Sequence, residues 1–201
     1  MNPRVISILL AALFLVACFQ TGCQSPPARI PVADSRSTRN NCYSLLHQLL
    51  DEQKDVSLLR FIKSEPSDLN ILAKRIATTS GTGARLLEKF AKDDPSIRLD
   101  DIRLPPGEAA TRAAISSAKE KELLSQSGDE FELTLLLTQT EALSYASHLA
   151  TVASQNEPQP DRAHALAGIG EDMQNLYQAV FNLLLSKIKS PVTNSIPTHP
   201  T

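Results

Sequence analysis

Apolar residues recur along the middle of this chain at steps of three and four, the spacing of one face of an α-helix. Over residues 42–63 the stripe is Leu45, Leu46, Leu49, Leu50, Val56, Leu59 and Ile62. A second stripe, over 66–92, carries Leu69, Leu72, Ile76, Leu86, Leu87 and Phe90, and Pro66 suits a first helical turn. A third segment, 106–126, is shorter and more polar. The fourth, 129–155, sets Phe131, Leu135, Ala142, Tyr145, Leu149 and Val152 on one side. The fifth, 160–189, repeats most regularly, through Leu166, Ile169, Met173, Leu176, Val180, Leu183 or Leu184, and Ile188. No strand-like alternation competes with any of these. Proline, glycine and clustered charges separate them, in "SEPSD", "DDPSIRLDDIRLPPGE", "SQSGDEF" and "NEPQPD". At the third of these breaks Gly128 could end one helix, or Ser127 could cap the next with Glu130 at capping-box spacing.

Four long amphipathic helices, roughly 33 to 45 Å each, can bury their stripes only against one another. The pattern therefore predicts an all-α fold, an antiparallel four-helix bundle with the short third helix in a long crossover. The body spans 42–189. Residues 18–41 read as a Pro/Ser-rich tether and 190–201 as a disordered tail without assigned function.

The amino terminus has a different character. One positive side chain, Arg4, precedes thirteen residues without charge, "VISILLAALFLVA". A spanning helix needs about 20 apolar residues, so this run fits a secretory signal peptide, 1–17, better than a membrane span. "LVAC", Leu15 to Cys18, resembles the lipobox of bacterial lipoproteins, with an aliphatic residue three positions before the cysteine and a small one just before it. That resemblance implies cleavage before Cys18 and diacylglycerol on its sulfur. Cys23, in "QTGC", is the alternative, with polar Gln20 where the lipobox has an aliphatic side chain. Several acyl chains hold a protein to a bilayer stably, so the body is expected on the cell envelope. Phe19 or Gln24 follows the acylated cysteine. Under the sorting rule of Gram-negative lipoproteins, an Asp there retains the protein at the inner membrane, so its absence implies the outer membrane, facing the periplasm. With Cys18 acylated, Cys23 and Cys42 are left and could pair; with Cys23 acylated, Cys42 is a lone small residue.

The order of features also resembles a family. A lipidated leader, a helix, "LAKRIATTSGTGARLLEKFAK", a Leu-Pro loop and a Gly-x-x-Phe joint opening a long helix are similar to the ferritin-like bundle domain of unknown function of bacterial periplasmic proteins. The resemblance covers about 42–189. It implies an Asp-His pair where this chain has Thr79 and Ser80, and a further His where it has Leu143. The ligand-like positions are absent, and no Glu-x-x-His occurs anywhere.

Composition narrows the chemistry further. The net charge of −2 offers no basic surface for nucleic acid. "SGTGAR" lacks the Lys-Ser/Thr ending of a phosphate loop and follows no strand. Gly81 and Gly83 read instead as a close helix approach or a kink. "FELTLLLTQTEALSYASHLA" holds Glu132 and Glu141, so it reads as a buried helix and not as a second span. The polar residues that come nearest to a metal set are Glu141 and His148, seven apart on one helix, with His47 conceivably opposite. No catalytic constellation and no cofactor is expected. The expectation is a non-catalytic, membrane-tethered bundle that binds or scaffolds another envelope component; the alternative is a ferritin-like metal-binding oxidoreductase.

Overall fold

The computed structural model describes residues 34–56 and 67–189. Among them all regular structure is helical, in five helices: α1 (Ser35–Gln53), α2 (Ser67–Asp93), α3 (Pro106–Ser125), α4 (Gly128–Gln155) and α5 (Pro160–Lys189). Expectations that fall on the leader, on Leu59 and Ile62, and on the tail lie outside the described residues.

The first helix begins earlier than its leucine stripe. Asp34 caps it, its carboxylate accepting from the backbone N–H of Arg36 at 3.3 Å. Residues 35–41, expected within the tether, are therefore helical, and Arg39 is already buried. The start of α4 also differs. Ser127 makes no side-chain cap, so the capping box does not form; Gly128 takes the turn with φ +58°, a conformation natural to glycine. In α5, Asp161 stands in the first turn and Lys187 and Lys189 in the last, each complementing the helix dipole.

Helix α1 packs on α2 and α4, and α5 packs on the same two, so four helices close a ring around one core. Contacts at their ends fix the directions. Arg39, near the start of α1, meets Ser96 just after α2 and Glu157 just after α4. Arg162, near the start of α5, meets Asp94 after α2. At the opposite end Lys187 of α5 meets Glu132 of α4. Each neighbouring pair is thus antiparallel. Helix α2 finishes at the end where α1 starts, whereas α4 starts at the other. The connection 94–127 consequently runs the length of the body, with α3 in it, packed on α4.

Tyr43, Leu46 and Leu50 of α1 meet Ile76 and Leu87 of α2, Phe131, Leu136 and Leu143 of α4, and Leu166, Met173 and Val180 of α5 in the core. Each such side chain contributes about 1.5–3 kcal/mol by leaving water. The stripe expected on α5 is buried as far as Leu184, but Ile188 is 64 % exposed. On α4 the buried face is rotated from the expected one: Val152 is exposed and Tyr145 half-buried, while Ala146, Ala150 and Ala153 point inward. Gly83 sits at a tight α1–α2 approach, where an added Cβ would lie 2.9 Å from Leu50 Cδ1.

Candidate functional site

The most polar part of the interior lies where α1 begins, α2 and α4 end, and α5 begins. Glu157, in the short α4–α5 turn, has a side chain 0 % exposed. Its Oε1 accepts from Arg162 Nε at 3.1 Å, Arg162 Nη2 at 2.8 Å and the backbone N–H of Gln159 at 3.1 Å. Its Oε2 accepts from the Tyr43 hydroxyl at 2.9 Å, with Arg39 Nη1 at 3.9 Å. Arg162 continues to Asp94 at 3.0 Å, and Arg39 to Ser96 Oγ at 3.3 Å. One carboxylate therefore ties together elements from all four core helices.

Burial pushes the Glu157 carboxyl upward, but the hydrogen bonds from Arg162, Gln159 and Tyr43 outweigh it and hold the group below the ordinary carboxylate range. Burial, then the bond to Glu157, raises the Tyr43 phenol well above its usual value. A carboxylate engaged on both oxygens is a weak base, and a phenol so held is a weak acid. Chemically, this arrangement is a clamp. At the other end of the body the second buried carboxylate, Glu132, is neutralised by Lys187 at 2.6 Å.

The residues singled out in the sequence as possible metal ligands are apart from these networks. Glu141 and His148 are both exposed on α4, and His148 Nδ1 donates to the carbonyl of Ser144 at 2.8 Å. His47, half-buried on α1, pairs with Glu88 of α2 at 3.2 Å. Among the described residues no three His, Cys, Asp or Glu side chains converge as a metal would require. Cys42 is a buried thiol in the core, its pKa raised by burial. Cys18 and Cys23 lie outside the described residues. No helix among those described is long and apolar enough to cross a membrane.

Two features were not expected from the sequence. Arg39 and Tyr43 stand one helical turn apart, yet Arg39 fell within the presumed tether, and "NEPQPD" read only as a helix stop. Nothing local separates Glu157 from a solvated loop carboxylate. The second feature is a groove of about 630 Å³ between α1, α3 and α4. Leu45, Leu49, Leu104 and Tyr145 supply apolar walls, and Glu52 and Glu120 stand among its polar groups. Arg112 of α3 crosses it, 5.0 Å from the centre of the Tyr145 ring, donating to its hydroxyl at 2.8 Å. Compared with known proteins, the chain matches no family model, no curated protein and no solved structure.

Proposed function

We propose that this protein is a bacterial envelope lipoprotein, anchored through acylated Cys18 (or Cys23) at the outer membrane. Its ferritin-like, non-catalytic bundle would bind or scaffold another envelope component on the periplasmic side. The lipobox-like Leu15–Val16–Ala17–Cys18 supports the anchor. The ring order of the helices, with a connection as long as the body between the second and third core helices, supports the ferritin-like assignment.

One observation carries the non-catalytic reading. Both buried carboxylates of the described body are neutralised by cations within the packing, Glu157 by Arg162 and Glu132 by Lys187. With side chains 0 % and 6 % exposed, neither is presented to solvent as an acid or base poised for chemistry. A metal-binding oxidoreductase built on Glu141, His148 and His47 draws no support from their separate positions.

Mass spectrometry of the mature amino terminus, isolated from membranes, tests the anchor. The expected product begins at Cys18 with diacylglycerol and a further acyl chain; an unmodified terminus would refute it. Cross-linking in intact envelopes tests the scaffold. A recurrent partner joined through the bundle surface is expected, and repeated recovery of the chain alone would count against it.

A further inference from the structure

The first turns of α1 and the loop after α2 enclose a polar cleft of about 330 Å³. Arg36, Asn40 and Asn41 line it from α1, and Ser96, Arg98 and Arg103 from the loop. A second polar hollow of about 500 Å³ shares Asp34, Arg36 and Ser96 with it and extends to Arg39. We propose that this cleft is an anion site for a phosphate-bearing ligand. The inference goes beyond the scaffold reading and does not depend on the lipid anchor.

The argument is a balance of donors and acceptors. A guanidinium has five N–H donors. Arg98 gives two of them to Asp100, at 3.1 and 3.2 Å, and Arg103 gives two to Asp101, at 2.9 and 2.6 Å. Arg36 gives none to any described side chain. Asn41 accepts the backbone N–H of Arg103 at 3.1 Å through Oδ1, which leaves its amide N–H groups as donors. Of the acceptors facing the cleft, Asp34 takes the Arg36 backbone N–H through Oδ1 and Asp101 takes Arg103 through Oδ2. The lining sets three guanidiniums against the carboxylates of Asp34 and Asp101, with Asp100 held by Arg98 beside them, and N–H donors outnumber acceptors.

The shape favours phosphate over carboxylate. A planar carboxylate is satisfied by one forked guanidinium. Three guanidiniums, from α1 and from two points of the loop, call for acceptor oxygens pointing several ways, as a tetrahedral phosphate has. Asp34 and Asp101 moderate the attraction, so binding should weaken as salt screens it.

Calorimetric titration of the full-length protein in detergent with pyrophosphate, at low ionic strength, tests the site. Saturable binding is expected, weakened at least about tenfold in Arg36→Gln and in Arg103→Gln. Arg85→Gln, on the exposed side of α2, should bind as the unaltered chain does. Circular dichroism melts of all three variants verify that they fold. No saturable binding, or equal affinity across the variants, would overturn the proposal. Competition by inorganic phosphate alone assigns the site to a free anion. Competition also by dihexanoylphosphatidylglycerol, but not by dihexanoylphosphatidylcholine, assigns it to a lipid headgroup.

Discussion

Glu157 holds more of this molecule together than any other polar side chain described. Removing its charge leaves the buried Arg39 without a carboxylate, while Arg162 keeps Asp94, and an uncompensated buried charge costs about 3–5 kcal/mol. Glu157→Gln is expected to lose about that much in urea unfolding. Tyr43→Phe, which removes one hydrogen bond to a charged acceptor, should lose about 2 kcal/mol. The pH dependence follows from the lowered pKa. The unfolded carboxyl, near its ordinary 4.5, takes up a proton before the folded one does. Its contribution is therefore complete above that value and is lost as pH falls toward the folded pKa. Urea midpoints should decline on acidification through this window, and Glu157→Gln should flatten the decline. A slope unchanged by the substitution would disprove the assignment. None of this was legible in the sequence, because Arg39 and Tyr43, Asp94, and Glu157 and Arg162 come from three separated segments, and only the packed ends of the helices bring them together.

At the level of elements the sequence was more informative, and its failures are specific. Five helices are expected and five are present among the described residues, since three- and four-residue apolar steps have no other stable use over such lengths. The start of α1 was misplaced because "SRSTRNN" lacks apolar periodicity; its helix is supported by the Asp34 cap and by burial of Arg39 against Glu157 and Ser96. The inward face of α4 differs from the expected one because apolar residues fall on its outer side too, Leu137 and Val152 among them, so periodicity cannot choose the inward side. The two glycines of α2 were read together, yet they differ. A methyl at Gly81 meets Lys54 Cβ at 3.6 Å, an ordinary contact, whereas at Gly83 it presses on the buried Leu50. Gly81→Ala should therefore stabilise by about 0.5–1 kcal/mol through helix propensity. Gly83→Ala should gain nothing or lose stability, since overpacking costs about 1–3 kcal/mol. Thermal melts that rise equally for both would contradict the close approach.

Across the whole molecule the crossover decides where the body is weakest. Because the connection must travel from one end to the other, α3 is laid along the outside, against α4, and none of its residues is buried. Ile115 and Leu124 are 55 % and 50 % exposed, and the groove beneath the helix separates it from α1. Its grip rests on Leu123, half-buried against the core, and on Arg112 with Tyr145. Helices with so little buried apolar surface open locally at free energies far below global unfolding. Amide exchange along α3 should accordingly be much faster than along α4 and α5, through openings that leave the core closed. Arg112→Ala removes a cation–π contact and a hydrogen bond, together about 1 kcal/mol. It should speed exchange in α3 by about fivefold at that energy while barely moving the melting temperature. Protection in α3 equal to that in α4 would mean that the crossover helix is part of the cooperative core after all, and the groove would then be a fixed surface and not one that opens.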